Sequence, residues 1–211
     1  MDADRIRRQF AAESTTQSGR MGEIFRLKIM LMGCKPVVWR EVEVASSMTL
    51  AALHDVLQVL MGWDDYHLWS FELGDRRFEF PDPDGMSFAK TTPEDPARVT
   101  LGGLLTKKGQ KLDYNYDFGD DWWVEISVVG TGKPLPKVRY PRCVAGERAG
   151  PPEDCGGLGG FKELRAAHKN PVTEDAKELL EWVGEDWDPD AFDLKAVNKA
   201  LSALRAPRRP H

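Results

Sequence analysis

The sequence predicts an α+β fold: antiparallel β-hairpins forming a mixed or antiparallel sheet, one early helix and a C-terminal helical cluster. Three observations predict it. Short runs alternate apolar and polar residues with period two, and Gly- or Asp-containing turns join them in pairs. One leucine stripe at helical spacing lies between the second and third runs. Helical periodicity returns only after residue 160.

Taken in order, Phe25, Leu27, Ile29 and Leu31 alternate with Arg26 and Lys28, so 23–32 reads as a strand. Gly33 and Pro36 end it, and 37–44 reads as its hairpin partner. Leu50, Leu53, Leu57, Leu60 and Met61 then share one helical face. Thr49 is placed to cap this helix, Met48 to staple onto Leu53, and Gly62 to close it in the left-handed conformation. His54 at the edge of the stripe reads as a partly buried, hydrogen-bonded boundary histidine. Leu68–Leu73 and Arg77–Phe80 form a hairpin through Gly74-Asp75. A proline-rich loop follows over Pro81–Arg98, then one helical turn at Thr100–Leu105. Leu112, Tyr114, Tyr116 and Phe118 alternate out and Trp122, Val124, Ile126 and Val128 alternate back, turning at Gly119-Asp120. Residues 131–160 are rich in Pro and Gly with little periodicity and read as a long loop pinned by specific contacts. Helices are expected at about 160–169, 174–184 and 190–204, the last capped by Asp188 or Asp190 near Pro189. Residues 1–22 read as a disordered tail, 23–204 as one domain and 205–211 as a frayed end, where Pro207 and Pro210 stop a helix.

The 211 residues are 41% hydrophobic and 30% charged, with 7 Trp, 9 Phe and 4 Tyr for a core. A chain of this length buries about 70% of its unfolded surface and needs no disulfide or metal to fold. No apolar run approaches the roughly 20 residues of a spanning helix, so no membrane is expected as partner. The net charge of -5 opposes a protein whose main task is to hold nucleic acid. Charge is uneven, however. Lys133–Arg148 holds five basic residues and one acid, and Glu174–Asp190 eight acids and one base. Such runs are ordinarily solvated faces; alternatively, the basic loop receives an acidic partner or a phosphate. Three cysteines do not make a secreted disulfide framework, and no signal-peptide core precedes them, so a cytoplasmic location with reduced thiols is expected.

Three runs carry a family resemblance: Gly62-Trp63-Asp64-Asp65-Tyr66-His67-Leu68, Tyr116-Asp117-Phe118-Gly119-Asp120-Asp121-Trp122, and Tyr140-Pro141-Arg142-Cys143 with Pro151-Pro152-Glu153-Asp154-Cys155-Gly156-Gly157. With Lys35–Arg40, the helix Leu50–Gln58 and Trp187–Phe192, they resemble the plasmid pRiA4b ORF-3-like family over about residues 23–203. The resemblance implies a compact α+β domain of bacteria and archaea, often met on plasmids and transposons, and no established activity. Some transposon-borne relatives carry a resolvase-like label, but nothing here resembles the serine and arginine constellation of a serine recombinase. The family pattern often has a second His two places after His67; here that position is Trp69.

Four constellations could carry chemistry. Residues 113–125 hold five acids and no Lys or Arg. Asp117, Asp120 and Asp121 at this turn either bond backbone amides or offer oxygens to Mg²⁺ or Ca²⁺. Cys143 and Cys155, with eleven residues between them, either pack the loop or join His67 or His168 around Zn²⁺. A Cys nucleophile would need Arg142, Arg148 or His67 beside it. The glycines Gly156, Gly157, Gly159 and Gly160 read as a tight loop rather than a phosphate cradle, because no Gly-Lys-Ser/Thr follows. Adjacent Trp122 and Trp123 must face opposite ways, one under the late helices.

The function expected from these residues is that of a non-enzymatic binding or interaction module, possessing a cleft between the Gly119–Trp122 turn and the Cys143–Cys155 loop. Its binding residues are expected to be Trp63, Asp120, Trp122, Arg142, Arg148, Glu153 and Asp154. A protein or small ligand fits this better than nucleic acid. The alternatives are a metal-dependent hydrolase or nuclease, using Asp117, Asp120 and Asp121 with His67 as base, and a DNA-associated accessory protein.

Overall fold

The computed structural model describes residues 22–80, 92–184 and 186–204. Apart from Gly22 at one boundary, the two expected tails lie outside the described residues, as does much of the proline-rich loop. The elements run β1 (Ile24–Leu31), β2 (Trp39–Ala45), α1 (Leu50–Met61), β3 (Trp69–Leu73), β4 (Arg76–Phe78), α2 (Leu101–Leu104), β5 (Lys111–Tyr116), β6 (Trp122–Gly132), β7 (Arg142–Glu147), α3 (Gly157–Lys169), α4 (Glu174–Val183) and α5 (Leu194–Ala203). The strands form one seven-stranded sheet in the order β4-β3-β5-β6-β1-β2-β7. Every ladder between neighbours is antiparallel, which fixes the α+β class.

Alternation decides the two faces. Phe25, Leu27, Ile29 and Leu31 of β1, Val42 and Val44 of β2 and Trp122, Val124, Ile126 and Val128 of β6 are all buried. They share one core with Leu50, Leu53 and Leu57 of α1, Phe161 of α3 and Leu201 of α5. The opposite face is half-exposed and carries cross-strand ion pairs: Arg26 with Glu41, Lys111 with Glu125 and Arg142 with Glu43. The molecule therefore has two layers, with helices on one face of the sheet.

The early helix forms as its caps predict. Thr49 accepts from Ala52 N–H, and Gly62 (φ 80°) closes the helix in the left-handed region. Trp122 lies under α3, edge-on to Phe161, whereas Trp123 is half-exposed and donates to Asp121.

Three expectations need correction. Within 131–160, 142–147 is a strand, β7, paired with β2. It is an edge strand with only Cys143 buried, so it lacks the alternation that reveals inner strands. The last helix starts at Leu194, capped by Asp193 Oδ1, which accepts from Lys195 and Ala196 N–H. Asp188 instead accepts from Asp190 N–H in the preceding turn. His54 is not at a boundary but 3% exposed. Its ring bonds Tyr114 and Asp65 and stacks on Trp69.

Candidate functional site

The three runs that carry the resemblance meet in space. After Gly62 ends α1, the chain doubles back, held by Asp65 (φ 58°). Asp65 N–H donates to Gln58 and its carboxylate accepts from His54 Nε2, both on α1. This anchoring presents His67. The second run is the β5–β6 turn. Asp117 takes φ 55°, and its Oδ1 accepts from Gly119 and Asp120 N–H, leaving Oδ2 uncommitted. The third run approaches through Trp63 Nε1, which donates to Pro151 O at 3.1 Å. Glu153 Oε1 accepts from Asp64 N–H and the Tyr116 hydroxyl, each at 2.8 Å. Gly156 N–H donates to Asp120 Oδ2.

His67 Nε2 stands at the centre of the resulting cluster. It lies 3.2 Å from Asp154 Oδ1, 3.6 Å from Asp117 Oδ2 and 3.9 Å from Glu153 Oε2. Both His67 Nε2 and Glu153 Oε2 are buried and without a hydrogen-bond partner. His67, Asp117 and Asp154 offer donor atoms that all lie within 4.8 Å of one another. Two ligands about 2.1 Å from one ion are themselves about 3.0–3.5 Å apart in octahedral or tetrahedral geometry. The His67–Asp154 spacing falls in that interval and the His67–Asp117 spacing at its edge. The site is deep on one side and open on the other: the Asp117 side chain is 8% exposed and that of Asp154 70%.

The surroundings are acidic and partly dehydrated. Burial, then the bonded Glu153 carboxylate, pushes the Tyr116 hydroxyl well above its usual range, so it stays a donor to Glu153. Burial together with the carboxylates of Asp120, Asp154 and Glu153 pushes the Cys155 thiol up to about 12.

The expected site residues divide accordingly. His67, Asp117, Glu153 and Asp154 converge. Asp120 is used to hold Gly156, and Asp121 accepts from Asn115 and Trp123, so the acidic turn does not gather three carboxylates on one ion. Trp63 and Trp122, 5% and 0% exposed, are walls behind the site. Trp63 stacks on Tyr116 at 4.6 Å between centroids. Cys143 is buried on β7, its Sγ 3.3 Å from Ala145 O. Among the described residues, the two sulfurs and His67 form no common ligand set. A raised thiol is also a poor nucleophile. Arg142 is paired with Glu43, and Arg148 with Glu147 and Asp190. Tyr116, the hydroxyl that orients Glu153, was not singled out by sequence. Its place in a resemblance-bearing run was the available signal.

The fold and site define an α+β domain with a mixed imidazole–carboxylate cluster where the α1–β3 loop, the β5–β6 hairpin turn and the loop leading into α3 meet. The chain belongs to the family described as plasmid pRiA4b ORF-3-like protein, which matches residues 23–196. It is 36% identical over 197 residues to the uncharacterized protein y4hQ of Sinorhizobium fredii, covering 88% of this chain and 94% of that one. Its fold is similar to the crystal structure of MM3350, a protein of unknown function from Methanosarcina mazei Go1. The TM-score is 0.74 at 31% identity, over 83% of this chain and 97% of that one.

Proposed function

We propose that this protein is a binding module built around a divalent cation held by His67 Nε2, Asp117 Oδ2 and Asp154 Oδ1, with Glu153 Oε2 as a further oxygen. The observation that carries this reading is the unpartnered, buried His67 Nε2 facing carboxylates from two other segments. One imidazole among oxygens suits Zn²⁺ or Mn²⁺ better than Mg²⁺ or Ca²⁺, which prefer oxygens alone. Asp154, on the open side, leaves room for a ligand or a partner's carboxylate to complete the coordination.

A hydrolase is the second reading. Glu153 Oε2, without a hydrogen-bond partner and 3.9 Å from His67 Nε2, would be the general base if a cation held there activated a water. His67 would then be a ligand and not the base. A role on mobile elements rests on the plasmid in the family's description alone, and the net charge of -5 opposes DNA association.

Elemental analysis and calorimetric titration of tag-free protein with Zn²⁺ and Mn²⁺ test the cation. About one equivalent is expected to bind, with affinity lowered at least about 10-fold in His67→Ala and Asp117→Asn. The Cys143→Ser, Cys155→Ser double variant and Asp121→Asn are expected to bind as the parent does. Equal binding by the parent and His67→Ala would refute the site. Metal-dependent turnover of phosphodiesters or esters, lost in Glu153→Gln, would favour the hydrolase.

A further inference from the structure

A second cluster of side chains involves none of the residues of the cation site. A pocket of about 1150 Å³ opens between the Gly33–Pro36 turn, the end of β7 and α3. Five of its lining side chains are cationic (Lys35, Arg148, Lys162, Arg165 and Lys169) against the carboxylates of Glu147 and Asp190. This local excess occurs in a chain of net charge -5. Like charges gathered around a concave surface repel one another and favour an anion among them.

Arg148 and Arg165 reach for the same atom. Arg148 Nε and Arg165 Nη2 each lie 3.5 Å from Asp190 Oδ1. A well-made charge-assisted bond would be about 2.8 Å, so both contacts are loose. Arg148 Nε is buried and has no hydrogen-bond partner, while Nη1 is committed to Val37 O and Glu147. Asp190 is itself 70% exposed. The arrangement is a solvent-facing carboxylate between two guanidiniums, accepting one long hydrogen bond from Arg165 Nη2 and none from Arg148 Nε. The backbone at Arg148, a residue of the pocket wall, has φ 70°, a left-handed conformation that residues other than glycine seldom adopt.

We propose that this pocket binds a small phosphorylated ligand, its phosphate seated between Arg148 and Arg165 in the place Asp190 occupies. Guanidinium forks match the paired oxygens of a phosphate, and the exposed Lys35, Lys162 and Lys169 add point charges around it. Leu158, 43% exposed, and Phe192 give the wall an apolar part for the ligand's body. The cations ring one pocket, a geometry for a compact anion rather than for a nucleic-acid strand.

Calorimetric titration of the full chain at low salt tests this, with adenosine 5′-monophosphate and inorganic phosphate as probes. The nucleotide is expected to bind with Kd below about 1 mM, more tightly than phosphate. Arg165→Gln is expected to weaken it about 10-fold or more, and the exposed Lys162→Gln about 3-fold. Asp190→Asn removes the competing carboxylate and is expected to tighten binding about 3-fold. Glu174→Gln, the same charge change on α4, is expected to leave it unchanged. Lys162→Gln and Asp190→Asn decide the matter if Arg165→Gln does not fold. Absence of binding by either probe at about 10 mM, or an affinity that does not respond to Asp190→Asn, would overturn the proposal. So would a single-stranded DNA oligonucleotide binding about 100-fold more tightly than the nucleotide, which would assign the pocket to nucleic acid.

Discussion

Arg40 shows how much one buried side chain can hold. It is 2% exposed on the core face of β2, and all of its hydrogen bonds among the described residues go to backbone carbonyls. Its guanidinium donates to the carbonyls of Leu60 at the end of α1, Trp39 on β2 and Glu147 at the end of β7, and lies over Phe192. Burial lowers its pKa to about 10, yet the charge persists at neutral pH. Arg40→Ala would leave those carbonyls without this donor and is expected to lower unfolding free energy by about 3 kcal/mol, read by urea denaturation. Arg40→Lys cannot span all of them and should recover less than half of that loss. The thiols give a pH prediction. Burial raises Cys34 and Cys143, and Cys155 stands at about 12 against an ordinary 9.0. All three should react slowly with a disulfide reagent at pH 8 in the native protein and rapidly in urea. The sign follows from the raised pKa. The stability gained by keeping Cys155 protonated is complete below pH 9.0 and is lost as pH rises toward about 12. In Cys155→Ser this part of the alkaline loss should be absent from the pH profile of the urea midpoint.

At the scale of elements, the loop leading into α3 is shaped by glycines that leave no room for a side chain. A Cβ on Gly160 would stand 1.7 Å from Cys155 O, and one on Gly157 2.6 Å from Asp120 O, where φ is also +64°. Gly159, between them, has nothing within 4 Å. The two positions look alike in sequence, but their substitutions should behave oppositely. Gly160→Ala forces backbone against backbone and is expected to cost about 3 kcal/mol, while Gly159→Ala should gain up to about 1 kcal/mol in helix propensity. Thermal denaturation separates them. Because this loop carries Glu153 and Asp154, Gly160→Ala should also weaken Zn²⁺ or Mn²⁺ binding, and Gly159→Ala should not. The last helix offers a simpler case: Asp193→Ala removes its cap and should cost about 1 kcal/mol.

Across the whole molecule, the sheet has two edges and treats one of them specifically. At β7, the Asn198 side chain of α5 accepts from Cys143 N–H and donates to Cys143 O, both at 2.9 Å. A side-chain amide thus takes the position that another strand would take, and it blunts an edge that could pair with a second molecule. Asn198→Leu leaves both backbone groups unpaired and is expected to cost about 2 kcal/mol. It should also raise the tendency to self-associate on heating, measured by light scattering. The ion pairs on the outer face contribute little individually, since they are exposed to solvent and salt. No described helix is long and apolar enough to cross a membrane.

Local signals determined much of this protein. Alternation set the inner strands β1, β2, β5 and β6, and leucine spacing with Thr49 and Gly62 set α1 and both its caps. In those segments the preference of each residue and its place in the core agree. Edge strand β7 was not legible, because one buried residue, Cys143, cannot show a period. The cap at Asp193 was not legible either, since three aspartates near the start of that helix are equally able to cap. The site was half legible. His67, Asp117 and Asp154 stood in distinctive runs, but their grouping depends on three segments far apart in sequence folding against one another. Asp120 and Asp121 have the same chemistry as Asp117, and only their contacts, with Gly156 in one case and with Asn115 and Trp123 in the other, remove them from the cluster. Residue type fixes what an atom can donate or accept; tertiary packing decides which of those atoms are left unpaired and facing one another.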